Sequence, residues 1–101
     1  MINAKAEILE AVKGKEVSLI KIVFDGDPFG SKPKRLIEGS LDTVLPMLDF
    51  VYDDGYGSQE LFGFIWYTDG SWSERGEYDG SEWWVHKKRP DKNIIIETIY
   101  D

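Results

Sequence analysis

Two Asp-Gly pairs, Asp69-Gly70 and Asp79-Gly80, stand ten residues apart inside the run YTDGSWSERGEYDGSEWW. Asp-Gly between runs of strand-forming residues is a strong short-range hairpin signal, because its backbone reaches positive φ at little cost. Two such turns at this spacing predict three short antiparallel strands, Leu61 to Tyr67, Ser71 to Glu77 and Glu82 to Lys87. The middle of the chain is therefore expected to be a β-meander.

Turn register decides what the faces of this meander carry, since a slip of one residue moves every side chain across the sheet. A three-residue turn TDG, with Gly70 left-handed in a bulge, sets Trp66 opposite Trp72. Phe62, Phe64, Trp66 and Trp72 then share one face, which is expected to be the core covered by helices, with Glu74 at its rim. At the second turn, direct opposition of Glu77 and Glu82 would set like charges against each other. A three-residue loop YDG, with Gly80 left-handed, avoids this by pairing Gly76 with Glu82 and Arg75 with Trp83, which allows a cation–π contact. Trp84 is then assigned to the core, and Trp83 to the outward side.

The remaining segments supply helices and a second hairpin. Asn3 is a plausible N-cap for a helix over Ala4 to Val12, whose Ile8, Leu9 and Val12 form one apolar stripe, and Gly14 marks its end. EVSLIKIVF, Glu16 to Phe24, is apolar on both faces except for Lys21 and reads as a central strand. DGDPFGSKP breaks the chain, and KRLIEG returns as the other arm of a wide hairpin. A second helix, capped by Asp42 or Thr43 and running to about Val51, has Pro46 near its first turn and Val44, Leu45, Leu48 and Val51 on its buried side. After Pro90, NIIIETIYD reads as an edge strand or a tail over 91–101. The expected fold is a single α+β domain over 1–101, an antiparallel sheet of hairpin plus meander packed by two short helices, in the order α-β-β-α-β-β-β.

A chain of 101 residues, 42% hydrophobic and 14% aromatic, is long enough for one core. Without cysteine it has neither a disulfide framework nor a thiolate metal site, which fits a reducing compartment. MINAKAEILEAVKGK lacks a continuous apolar run, so neither a signal peptide nor a membrane span is expected. Between Asp42 and Glu82 ten carboxylates face Arg75 alone, giving −9 for this segment out of −7 for the whole chain and leaving +2 for the two ends. Such a balance disfavours nucleic acid as a direct ligand, because phosphate binding depends on Lys and Arg, and favours a basic protein partner.

Catalytic arrangements find little support. His86 is the sole histidine, and no Gly-x-Ser-x-Gly context surrounds any serine. Glu74, Glu77, Asp79 and Glu82 are the residue types of a carboxylate-based hydrolase, and tryptophans stack on sugars, but a small meander offers little depth for a cleft. Asp25, Asp27 and Ser31, or Asp53, Asp54 and Glu60, lack the ligand spacing of a calcium loop and are explained as turn residues. Neither metal nor cofactor is expected. Exposed aromatics beside carboxylates, Tyr56, Tyr78 and Trp83 with Glu77, Asp79 and Glu82, are instead the residue types of a protein-binding face.

GSQELFG, followed by DGSW and RGEYDGSEWW and then a proline, resembles a family of small uncharacterised proteins encoded by tailed bacteriophages and prophages. The resemblance runs over about residues 3 to 90. It implies an accessory protein acting in the bacterial cytoplasm, and it carries no catalytic residues across. The leading expectation is an acidic module that binds, and in one form inhibits, a host defence or nucleic-acid-processing protein with a basic surface. Its alternatives are a structural homo-oligomer and a carbohydrate-binding or carboxylate-based hydrolase.

Overall fold

A computed structural model describes residues 1–26, 33–55 and 57–90 of the chain. The two Asp-Gly pairs are turns of different kinds. Around Gly70, at φ 89°, the backbone N–H of Tyr67 donates to Ser71 O at 3.0 Å and Trp66 stands opposite Trp72, which is the three-residue TDG turn. Asp69 braces it by accepting from the backbone N–H of Ser71 at 2.8 Å and from the Ser71 hydroxyl, and both bonds hold its carboxyl below the usual carboxylate range.

At the second turn the expected YDG loop is corrected. Asp79 and Gly80 both lie at positive φ, 52° and 88°, and Tyr78 stands directly opposite Ser81. This two-residue turn has the positive φ values of the I′ type, whose twist matches that of the flanking strands. The register therefore does set Glu77 opposite Glu82. The opposition is tolerated because Glu82 is taken up by Arg75 at 2.7 Å, while Glu77 accepts the Gly80 N–H at 3.0 Å.

Among the described residues seven strands and two helices make an α+β domain. In chain order they are β1 (Ile2–Asn3), α1 (Ala4–Ala11), β2 (Val17–Phe24), β3 (Arg35–Gly39), α2 (Leu41–Val44), β4 (Val51–Tyr52), β5 (Leu61–Tyr67), β6 (Trp72–Tyr78) and β7 (Ser81–Lys87). Five strands form one antiparallel sheet in the order β3-β2-β5-β6-β7, and β1 pairs with β4 beside it. β2 is central, as its apolar run predicts. The small β1–β4 pair has no counterpart in the sequence reading, since two residues are too few to show periodicity.

Asn3 caps α1 by accepting from the Ala6 N–H at 2.9 Å, and its amide also donates to Asp49 at 3.0 Å. The second helix is shorter than expected. Ser40, not Asp42 or Thr43, caps it, and after Val44 the chain tightens into a 3-10 turn over Leu45–Leu48. Pro46 lies in that turn, where it lacks an N–H to donate. Val51, expected in the helical stripe, is instead an exposed strand residue opposite Asn3.

Among the described residues only one face of the large sheet is covered. Ile20 and Ile22 of β2, Ile37 of β3 and Leu61, Ile65 and Tyr67 of β5 meet Ala4, Ile8, Val12, Val44, Leu48 and Tyr52 in the core. Trp84 packs partly buried against it. The expected core of Phe62, Phe64, Trp66 and Trp72 is thereby overturned: these four do share a face, but it is the face opposite the helices. Pairing with β2 decides this, because Lys21 stands opposite Phe64 while Ile20 stands opposite Ile65. Burying the aromatic face would bury the Lys21 ammonium with it, whereas burying the other face encloses isoleucines. The expected strand after Pro90 lies outside the described residues.

Candidate functional site

Strand alternation and register together lay out the open face. One row runs Leu36, Val23 and Phe62 across β3, β2 and β5, a second runs Glu38, Lys21, Phe64, Glu74 and Val85, and a third runs Leu19, Trp66, Trp72 and Lys87. Trp83 stands on this face opposite Gly76, whose missing side chain leaves room for the indole. Phe62, Phe64 and Trp83 are each 42% exposed and Leu36 is 61% exposed. The Phe64 and Trp66 rings stack at 5.5 Å. Over β2 and β5 the face is largely apolar, the kind of surface that marks interaction sites. Its charges are mixed: Lys87 pairs with Glu74, and Lys21 stands opposite Glu38.

Of the residues read from the sequence as a binding face, Trp83 lies on this surface. Tyr78 is 77% exposed and projects at the β6–β7 tip between exposed Glu77 and Asp79. Glu82 is a correction, being 3% exposed and on the helix side. Tyr56 lies outside the described residues. Phe62, Phe64 and Leu36 are exposed residues that sequence reasoning missed. The signal was present in Lys21 and Glu74, two charges that the pleat places among those aromatics.

On the covered side, Arg75 and Glu82 belong to a buried polar cluster. Arg75 Nη2 donates to Glu82 Oε1 at 2.7 Å and to the Tyr52 hydroxyl at 2.8 Å, while Nη1 lies 3.1 Å from Glu7 Oε2 in ion-pair contact. The Tyr52 hydroxyl in turn donates to Glu7. Glu82 also accepts the backbone N–H groups of Glu60 at 2.8 Å and Leu61 at 3.1 Å. Burial alone would lower the Arg75 pKa, but the Glu7 charge, Tyr52 and the Glu82 hydrogen bond outweigh it and raise it. Burial is also the main cause that pushes the Tyr52 phenol well above its ordinary value, with its bond to Glu7 adding to it. The guanidinium carbon sits 4.9 Å from the Trp84 ring centroid, so the expected cation–π contact exists with Trp84 rather than Trp83. The two-residue turn moves the register by one and brings Trp84 opposite Arg75.

These placements divide the four meander carboxylates. Glu74 is on the open face, Glu82 is buried against Arg75, and Glu77 and Asp79 are at the tip. They do not flank a common cleft. His86 lies on the helix side with its ring 5.7 Å from that of Tyr67. Among the described residues no three side chains of metal-ligating type converge on a common point, and no helix is long and apolar enough to cross a membrane. Comparisons with protein-family models, with curated proteins and with solved structures find no match to this chain.

Proposed function

We propose that this chain is a protein-binding module that docks its partner on the open aromatic face of the sheet. The observation that carries the reading is the coexistence of Phe62, Phe64, Trp83 and Leu36, all substantially exposed, on one face that no other described element covers. Rigid aromatics on a β-scaffold bury large area for little lost rotamer freedom, which is how interface anchors act. A net charge of −7, with Glu77 and Asp79 at the β6–β7 tip beside the face, selects a partner whose apolar patch is ringed by Lys and Arg. In the setting implied by the phage and prophage resemblance, that partner is a host protein with a basic surface, and docking there would obstruct what the surface normally binds.

The test is capture from host-cell extract on immobilised protein, comparing the natural chain with Phe62→Ser/Phe64→Ser and with Glu77→Lys/Asp79→Lys. A basic protein retained by the natural chain should be lost with the first variant and weakened, more so at low salt, with the second. Thermal unfolding of both variants establishes that they remain folded. Retention unchanged by Phe62→Ser/Phe64→Ser, or no protein retained above background at low salt, overturns the reading. A stable dimer in sedimentation that dissociates in the same variant assigns the face to a second copy instead.

A further inference from the structure

We propose that the open face carries a notch between β5 and β6 that receives an arginine side chain of the partner protein. The proposal rests on the docking reading above and names the contact that anchors it.

The notch follows from how the two strands part. β5 and β6 pair over Phe64, Ile65 and Trp66 against Glu74, Ser73 and Trp72, whereas β5 begins at Leu61 and β6 runs on to Tyr78. The Tyr67 N–H turns toward β6 to reach Ser71 O, so by the alternation of a strand the N–H and C=O of Leu61 turn the same way. Side chains meet them in place of the β6 backbone. The Leu61 N–H donates to Glu82 Oε1 at 3.1 Å, and Leu61 O accepts from Gln59 Nε2 at 2.7 Å. With its backbone groups satisfied in this way, β5 needs no ladder to β6 here, and a cavity of about 220 Å³ opens between them. That is below the roughly 300 Å³ at which sites for whole small molecules begin, so its size suits a single side chain.

The lining selects which one. Among the described residues it consists of Gln59, Phe62, Gly63, Phe64, Glu74 and Arg75. Phe62 and Phe64 present their rings on the open face. Gln59 is held by its amide nitrogen, which leaves its side-chain oxygen to accept. Glu74 is partly exposed, and Lys87 Nζ contacts one of its two oxygens, Oε1, at 2.5 Å. Arg75 is committed on the helix side, where Glu82, Tyr52 and Glu7 engage its guanidinium. Lys21 stands between Phe64 and Glu38, and the Glu38 charge offsets its own. Aromatic rings beside acceptor oxygens fit a planar cation with several N–H donors, because a guanidinium stacks on a ring while its fork meets a carboxylate. Lysine brings a point charge without the stacking plane. On docking, the arginine takes the place of Lys87 at Glu74.

Titration of the full chain with N-acetyl-arginine amide, followed in NMR at the backbone amides of Gln59, Phe64 and Glu74, tests this. N-acetyl-citrulline amide, similar in shape but uncharged, is the control. The arginine compound should shift these resonances saturably, and citrulline should bind at least roughly tenfold more weakly, as a charge-assisted contact requires. Glu74→Gln should bring arginine down to the level of citrulline, whereas Lys87→Gln, which releases Glu74, should tighten it. Unchanged Ile8 and Ile20 amide shifts establish that both variants are folded; should Glu74→Gln fail to fold, the comparison of the two compounds on the natural chain decides. Equal binding of the two compounds, or arginine binding that neither variant alters, overturns the proposal. Capture of a basic protein that is lost with Phe62→Ser/Phe64→Ser, alongside no preference for arginine over citrulline, overturns the notch and leaves the docking face standing.

Discussion

Gly63 sits on β5 directly opposite Ile22 of β2. Its φ is 156°, and a Cβ built there would lie 2.3 Å from the carbonyl oxygen of Lys21, a backbone atom that cannot give way. Gly63→Ala is expected to cost about 3 kcal/mol, the scale of strain at a special backbone position, and chemical denaturation would measure it. Arg75 is constrained by charge rather than space. Its side chain is 2% exposed and that of Glu82 is fully buried. Arg75→Met leaves two carboxylates without their cation and is expected to destabilise by about 3–5 kcal/mol, against less than about 1 kcal/mol for Lys21→Met on the open face. Equal losses in the two variants would mean that the cluster contributes nothing particular. Neither constraint can be read from neighbours in sequence, since Arg75 meets Glu7 from a helix 68 positions away and Glu82 from the next strand.

At the scale of elements, local signals were reliable where the chemistry is local. Asn3 caps α1 as its side chain predicts, and Asn3→Ala should cost about 1 kcal/mol in unfolding free energy. Part of that loss belongs to the bond from Asn3 to Asp49, and Asp49→Ala measured beside it separates the two bonds. The meander and its first turn follow from TDG and the alternation around it. Its second turn does not: the like charges of Glu77 and Glu82 argued for a longer loop, and a cation from β6 removed that objection. The second helix is shorter than the helical spacing of Val44, Leu48 and Val51 predicts, because the chain tightens after Val44 and Val51 pairs with β1 opposite Asn3. A two-residue strand has no sequence signature apart from its partner.

Over the whole molecule, stability should depend on alkaline pH through Tyr52. Its folded-state pKa is raised by burial above the ordinary value near 10, so its contribution is fully present below that value and is lost as pH rises beyond it. Thermal midpoints should fall above about pH 10, and less steeply in Tyr52→Phe; an identical slope would show that the buried phenol is not responsible. The covered and open faces of the sheet bear on the same scale. From residues alone follow the α+β order, the two reversals at Asp-Gly, the central place of β2, and the fact that Phe62, Phe64, Trp66 and Trp72 share a side, because capping, turn chemistry and the two-residue pleat act over a few neighbours. Which side is buried was decided only when β2 paired with β5. That pairing put Lys21 beside Phe64 and isoleucine beside isoleucine, and one charge that must stay in water turned the whole aromatic face outward with it.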